Sequence, residues 1–202
     1  MRIAHFFSGN PATGAASGAM NLCKGLIKEN VNIEIYNDKF DFKIRNKEIS
    51  YKKNYKKIIT SFINNINDRK KFFISKKKIK FSNGFTGSTP IPVSEINKFD
   101  LIHLHWINNG FFNLEKINNI NVPIVWTIRD MWPFTGGCHY TLGCKKFYNE
   151  CNLCPSINNL FFKDDSILNL FNKKISIFKN QNIHLVGISK WIETEIKNSL
   201  IF

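Results

Sequence analysis

Residues 125–155 read VWTIRDMWPFTGGCHYTLGCKKFYNECNLCP, and the rest of the chain is interpreted around this stretch. The apolar run Ile124–Ile128 has the composition of a buried β-strand, and it ends in the charged pair Arg129 and Asp130. In an open parallel sheet, ligands bind at the carboxyl edge of the strands. A strand that ends in a charged pair, followed by a glycine turn and a cysteine-rich loop, predicts a functional site at that edge.

Other apolar runs predict a parallel sheet around this strand. Further strands are predicted at residues 2–7, 31–36, 100–106 and 183–188. Between the first two, apolar residues recur at helical spacing after Gly14, so strand, helix and strand form a βαβ unit. Ser189 is a candidate cap for a last helix. The 202 residues therefore predict one α/β domain with a Rossmann-like parallel sheet and flanking helices.

The loop after the first predicted strand is rich in small residues, among them Gly14, Ala15 and Gly18. Small side chains at a helix N-terminus let a ligand approach the backbone N–H groups, and the positive end of the helix dipole favours phosphate. The same glycines also permit close packing of the helix on the sheet. The spacing does not match a dinucleotide-binding motif, and both interpretations stay open.

The net charge of +14 is concentrated in one segment, since residues 45–80 contain 13 basic and two acidic side chains. Apolar residues from Tyr51 to Ile66 recur at helical spacing, with lysines beside them, and the basic run continues through residues 75–80. One interpretation is a helix docked on the sheet with a solvated lysine face. The other is an interfacial helix that binds anionic lipid. Nucleic acid is not an expected partner.

The chain shows no signal peptide and no apolar run of the roughly 20 residues that span a membrane. The five cysteines are an odd number in a chain without an export signal. We therefore expect a cytoplasmic protein with reduced thiols, and peripheral contact with the inner face of the plasma membrane stays open.

Two histidines, His103 and His105, lie on one face of the third predicted strand. A metal could bind such a pair, but no acidic residue accompanies them, so a structural role is the leading interpretation for His103. His105 lies nearer the carboxyl end of the strand and is a candidate for contact with substrate.

The cysteine-rich loop at residues 132–155 contains Cys138, Cys144, Cys151 and Cys154 in the spacing C-x5-C-x6-C-x2-C. Four thiolates can form a structural zinc site, and C-x-x-C is a favourable ligand pair. The first two cysteines are more widely spaced than in a common zinc ribbon. Free thiols and disulfides therefore stay open beside zinc.

Four stretches of the sequence together resemble a known family. The run TIRDMWPFTGGCHYTLGCKKFYNECNLCP at residues 127–155 is accompanied by GAASGAMNLCKGL at 14–26, FDLIHLHWINNGFF at 99–112 and LVGISKWIETEIKNSL at 185–200. In this order they resemble the N-terminal domain of the group-1 bacterial exopolysaccharide glycosyltransferases, which have the GT-B fold and retain the anomeric configuration. In that family the first run typically begins TLHDMWPFTGGCHY.

The resemblance implies sugar transfer from a nucleotide sugar to a glycan or lipid-linked acceptor, without a catalytic metal. In the family, an N-terminal domain binds the acceptor and meets the membrane, and a C-terminal domain binds the nucleotide sugar across a cleft. The resemblance therefore implies that residues 1–202 form the acceptor-side domain, truncated or a fragment. The nucleotide-sugar domain would be absent, so the chain would be incomplete as a catalyst on its own.

The resemblance also implies roles for particular residues. Asp130 and Arg129 would be catalytic residues beside the donor sugar, and Gly14 would lie near the donor diphosphate. Contacts with donor or acceptor are expected from Gly14, Ala15, His105, Trp106, Trp132, Gly136, Gly137 and His139.

Arg129 departs from the family pattern, in which the residue before the aspartate is commonly histidine. A guanidinium is always charged and cannot act as a neutral imidazole, but it can bind a phosphate bidentately. Two non-catalytic functions stay open. One is a zinc-stabilised binding module for anionic partners, and the other is a partner protein that binds acceptor or membrane.

Overall fold

The computed structural model describes residues 1–69, 79–155, 165–179 and 181–202. The strands are β1 Arg2–Phe6, β2 Asn32–Tyr36, β3 Phe40–Arg45, β4 Glu48–Lys53, β5 Leu101–Leu104, β6 Ile124–Ile128 and β7 Ile183–Gly187. The helices are α1 Gly14–Lys28, α2 Tyr55–Arg69, α3 Val93–Ile96, α4 Asp165–Phe178 and α5 Lys190–Asn198. Turns of 3₁₀ helix lie at Leu114–Asn119, Trp132–Phe134 and Lys146–Tyr148.

Five strands form a parallel sheet in the order β2-β1-β5-β6-β7, and helices flank it. This confirms the predicted α/β class with a Rossmann-like sheet. The predicted strands agree with the observed ones to within two residues at each end. Ser189 caps α5 as predicted, because its hydroxyl accepts a hydrogen bond from the Ile192 N–H.

Side chains of the central strands alternate between two faces. Ile102, Leu104 and Trp126 lie in the largest apolar core, which α5 also joins through Ile192 and Ile196. The opposite face packs on α1 through a smaller apolar cluster.

Towards its carboxyl edge, the face that packs on α1 also carries a polar seam of five contacting residues. They are His5, His103, His105, Thr127 and Arg129. The central strands β5 and β6 thus have one apolar face, and their other face becomes polar where the strands end.

The hairpin β3–β4 was not predicted from the sequence, which instead placed Tyr51 at the start of a helix. In the structure Tyr51 lies on β4, opposite Phe42 of β3. The two strands join at Asn46 and Lys47, which both have positive φ values of 49° and 62°. In a sequence, such a two-residue turn is usually indicated by Asn-Gly or Asp-Gly. Here lysine stands at the second position in place of glycine, so the turn was not recognised.

Helix α2 binds the rest of the protein through its polar face, so the interpretation as a helix docked by its apolar stripe is wrong. Ser61 donates a hydrogen bond to Asp38 over 2.7 Å, and Asp68 accepts from the Gly84 N–H and the Thr86 hydroxyl. The apolar stripe faces outward instead and consists of Tyr55, Ile59, Phe62, Ile63 and Ile66.

In the described part of the chain, no helix combines the length and the hydropathy needed to span a membrane. Residues 70–78, and with them most of the basic run at 75–80, lie outside the described residues.

Candidate active-site crevice

An open crevice of about 380 Å³ lies at the carboxyl edge of the sheet. The strand order reverses there, because β2 lies on one side of β1 and all later strands of the sheet lie on the other. Ligands of open α/β sheets bind at such a switch point. The crevice is lined by Gly14, Ala15, Lys80, Trp106, Arg129, Asp130, His139, Tyr140 and Ile188.

Arg129 follows β6 directly and brings positive charge to the crevice. Its Nη2 atom lies 3.5 Å from Nδ1 of His105, and its Nε atom is buried without a hydrogen-bond partner. Burial lowers the pKa of Arg129, and no described carboxylate counters this effect. A guanidinium nevertheless remains protonated in proteins. A half-buried cation with an unused donor favours an anionic ligand.

The two glycines of α1 differ in their surroundings. A Cβ at Gly18 would overlap the guanidinium of Arg129, whereas a Cβ at Gly14 would meet open space. Gly18 therefore fits the close-packing interpretation, with the Arg129 side chain as its neighbour. Gly14 begins the helix at a positive φ of 56° and lines the crevice. The side chain of Thr13, which precedes it, makes no capping hydrogen bond, so first-turn N–H groups remain available to a ligand.

Asp130 lies in the crevice wall, and both of its carboxylate oxygens accept hydrogen bonds from the protein. Oδ2 accepts from Nε1 of Trp106 over 2.7 Å and from Nδ1 of His139 over 2.6 Å, and Oδ1 accepts from the Trp132 N–H over 3.0 Å. Burial alone would raise the pKa of Asp130, but these hydrogen bonds outweigh it and the pKa is lowered. The residue is a buried carboxylate that fixes the positions of two aromatic side chains.

His139 is a neutral imidazole whose two nitrogens are both engaged. Burial lowers its pKa and outweighs the opposing effect of Asp130. Because Nδ1 donates to Asp130, Nε2 is the acceptor, and the hydroxyl of Ser82 lies 3.0 Å from it. The contact between His139 and Asp130 is therefore a hydrogen bond to a carboxylate rather than an ion pair.

Behind the crevice, His5, His103 and His105 form a histidine cluster within the polar seam. Arg129 can only donate to Nδ1 of His105, so Nε2 of His105 carries the proton and donates to Nδ1 of His5 over 3.3 Å. Nε2 of His5 is then a buried donor without a partner. Burial lowers the pKa of His5 to about 3 and that of His103 to about 4, and it lowers the pKa of His105 well below 6.5.

The histidine cluster is the group of described residues whose nitrogen ligand atoms gather within 4.8 Å of one another. The sequence suggested His103 and His105 as a candidate pair, and the structure adds His5. No described carboxylate belongs to the group, and Arg129 adjoins it. The surroundings therefore disfavour a cation, and His105 lies 2% exposed beneath the crevice rather than in its lining.

Besides His105, three residues predicted to contact substrate are not brought to the crevice. Trp132 is 1% exposed, and its indole N–H donates to the Ser82 carbonyl over 2.9 Å. Gly136 packs against Ile167, and Gly137 packs against Phe81. These glycines permit close packing of the cysteine-rich loop. In contrast, the crevice does bring together Gly14, Ala15, Trp106, Arg129, Asp130 and His139.

Lys80, Tyr140 and Ile188 line the crevice although the sequence analysis did not select them. Ile188 follows β7, so the carboxyl-edge rule could have identified it. Lys80 lies far away in sequence and is positioned by its backbone carbonyl, which accepts a hydrogen bond from the His139 N–H over 3.0 Å. Its ammonium lies 3.8 Å from the centre of the Trp106 ring. No local sequence signal indicates that placement.

The four cysteines of the loop are free thiols that line one small cavity, beside Phe81, Phe147 and Ile167. No three of their sulfurs lie within 4.8 Å of one another. Burial raises the pKa of Cys138 and of Cys151 to about 12. Cys23, the fifth cysteine, lies apart from them in the apolar cluster under α1.

Comparison with known proteins gives a partial match. The chain is 37% identical over 65 residues to WcaC of Escherichia coli (strain K12), whose description provisionally names it a colanic acid biosynthesis glycosyl transferase. The match covers 30% of this chain and 16% of that protein. No family model matches the chain, and no solved structure matches it. The similarity thus supports a relationship of this chain to glycosyltransferases.

Proposed function

We propose that this chain is the acceptor-side domain of a GT-B glycosyltransferase, and that its crevice binds the phosphate groups of a sugar substrate. The observation that carries the proposal is Arg129, a half-buried cation without a carboxylate partner among the described residues, at the carboxyl edge of a Rossmann-like sheet. Lys80 and the N-terminus of α1 line the same crevice. The partial similarity to a glycosyltransferase points to a sugar nucleotide or a lipid-linked sugar as the source of the phosphate.

The crevice suits the chemistry of sugar transfer, in which negative charge develops on a departing diphosphate. Fixed cations and helix N–H groups stabilise such charge without reorganising during the reaction. Arg129 would bind the diphosphate, and Lys80 would add positive charge beside the Trp106 ring. Asp130 acts in this proposal as a positioning residue, because its oxygens hold Trp106 and His139 in the crevice wall.

Replacing Arg129 with glutamine is expected to weaken diphosphate binding at least tenfold. The reason is that hydrogen bonds to charged groups contribute about 1.5–3 kcal/mol. UDP, GDP and inorganic pyrophosphate are suitable probes, titrated by calorimetry at fixed ionic strength. Selective binding of one nucleotide would identify a sugar nucleotide as the source, whereas equal binding of pyrophosphate would favour a lipid diphosphate.

The matched control is Lys197→Gln, which also removes one positive charge but lies on α5 in an ion pair with Glu193. The control should bind the probes as the unaltered chain does. Equal weakening in both variants would mean non-specific attraction to a basic protein and would contradict the proposal. Absence of saturable binding at millimolar concentrations would contradict it as well.

The outward apolar stripe of α2 supports action at a membrane surface. Tyr55 is 74% exposed and Phe62 is 65% exposed, and Ile59 lies between them on the same stripe. Apolar side chains are rarely exposed as a contiguous patch unless they bind a partner. Lys52 and Lys53 at the end of β4 and Lys56 in the first turn of α2 place positive charge beside the stripe. Apolar residues flanked by lysines match the interface of an anionic bilayer.

The double substitution Ile59→Ser and Phe62→Ser is expected to weaken vesicle binding at least tenfold, because each buried apolar side chain contributes about 1.5–3 kcal/mol. Flotation with phosphatidylcholine vesicles containing phosphatidylglycerol measures the effect. Vesicles of phosphatidylcholine alone should bind the unaltered chain more weakly, since the lysines then lack a partner.

The control is the double substitution Leu142→Ser and Leu200→Ser, at positions that are 66% and 54% exposed outside α2. This variant should bind anionic vesicles normally. If both double variants float like the unaltered chain, the stripe does not bind membranes.

A further inference from the structure

Lys174 of α4 is unusual because its side chain is fully buried, and burial lowers the pKa of its amine to about 7. Its ammonium donates to the Trp132 carbonyl over 2.6 Å and to the Thr135 carbonyl over 3.0 Å, and it lies 4.2 Å from the centre of the Trp132 ring. These contacts satisfy its hydrogens but supply no negative charge. No ion pair between Lys174 and a described carboxylate accompanies them.

Lys174 reaches the cysteine-rich loop through the carbonyl of Thr135, a residue that lines the same cavity as the thiols of Cys138 and Cys151. Both thiols line the small cavity in the cysteine-rich loop, together with Cys144 and Cys154. As neutral thiols they cannot offset the buried ammonium. As thiolates they could, and thiolates persist in a buried site when a metal binds them.

Two leucines of the loop hold left-handed backbone conformations that such residues rarely adopt. Leu142 has a φ of 48° and lies two residues before Cys144, and Leu153 has a φ of 41° and lies between Cys151 and Cys154. Both leucines thus lie next to cysteines that line the cavity. The Gly136 N–H also donates to Sγ of Cys151 over 3.3 Å, a contact that stabilises a thiolate.

We propose that the cysteine-rich loop binds one zinc ion through Cys138, Cys144, Cys151 and Cys154, and that Lys174 is the charge partner of this site. Zinc and four thiols give a tetrathiolate of charge −2 and release four protons. The neighbouring ammonium reduces the local charge to −1. Zinc–sulfur bonds of about 2.3 Å require the sulfurs to lie about 3.8 Å apart. Binding must therefore draw the thiols inward by side-chain rotation into the cavity.

Metal content tests the proposal on the unaltered chain, purified under reducing conditions without chelator. Plasma mass spectrometry should find one zinc per chain. Cobalt(II) in its place should give the strong visible absorption of a tetrahedral thiolate site. A metal-free chain that takes up no cobalt would overturn the proposal, and so would a chain whose cysteines are paired in disulfides.

Substitutions test the assignment of the ligands and of Lys174. The double substitution Cys151→Ser and Cys154→Ser should reduce the zinc content to below a tenth, whereas Cys23→Ala, outside the loop, should retain it. Lys174→Met should weaken zinc at least tenfold in competition with a chelator, and Lys174→Arg should restore most of the affinity. If Lys174→Met binds zinc as tightly as the unaltered chain, Lys174 is not part of the site. If the double serine variant keeps its full zinc content, the cysteine-rich loop does not bind the zinc.

Discussion

Lowering the pH from 7 to 4.5 is expected to reduce the free energy of unfolding by an amount on the order of 5 kcal/mol, from His5 and His103 alone. Burial lowers the pKa of His5 to about 3 and that of His103 to about 4, from an ordinary value of 6.5. The unfolded chain therefore binds protons first as the pH falls. The stability contributed by these neutral histidines is complete above pH 6.5 and is lost progressively down to about pH 4 for His103 and about pH 3 for His5. His105 adds to the effect in the same direction.

Urea unfolding between pH 7 and pH 4.5, followed by tryptophan fluorescence, measures this dependence. The slope of the unfolding free energy against pH gives the difference in bound protons. The variant His5→Leu should reduce that difference by about one proton, and Leu142→Ser, which changes no titratable group at a 66% exposed position, should leave it unchanged. If the free energy of unfolding does not change between pH 7 and pH 4.5, the folded histidine cluster binds protons as readily as the unfolded chain does. That result would contradict the prediction.

Replacing Asp130 with alanine is expected to cost at least about 3 kcal/mol of stability, because three buried donors lose their acceptor. These donors are the indole N–H of Trp106, the Nδ1–H of His139 and the backbone N–H of Trp132. A residue whose only role was to contact substrate would lose activity with little change in stability. The experiment thus separates positioning from direct catalysis.

The variant Asp130→Asn should lose about 2 kcal/mol of stability, which is less than the loss in the alanine variant. Either orientation of the amide points its NH₂ group at a donor, which is the Trp132 N–H in one case and the indole of Trp106 in the other. Chemical denaturation at pH 7 measures both variants, with the exposed Glu95→Gln as the control. A loss below 1 kcal/mol in the alanine variant, combined with weaker diphosphate binding, would return Asp130 to a direct role in the crevice.

Much of the sheet could be predicted from the sequence, because its strands are short segments rich in apolar residues and bounded by turn residues. The edges of the fold could not be predicted in the same way. The apolar stripe of α2 was recognised, but periodicity alone does not say whether a stripe faces the protein or its surroundings. Its polar face is satisfied by Asp38, Gly84 and Thr86, which are 15 or more residues away in sequence.

The candidate site was predictable where it follows strand ends, as at Trp106, Arg129 and Asp130. It was not predictable where a residue distant in sequence packs beside the strand ends, as Lys80 does. Trp132 was expected in the site from the family resemblance, yet its indole turns inward to the Ser82 carbonyl. Adjacency along the chain does not determine direction once a strand has ended and a 3₁₀ turn begins.

The contact between Gly18 and the guanidinium of Arg129 makes two distant positions interdependent. The long side chain occupies a space under α1 that exists only because position 18 has no side chain. A shorter imidazole at position 129 would leave that space empty, and any larger residue at position 18 would displace the guanidinium. Exchanging Arg129 for histidine therefore changes two features at once, the charge of the crevice and the packing of the helix above it.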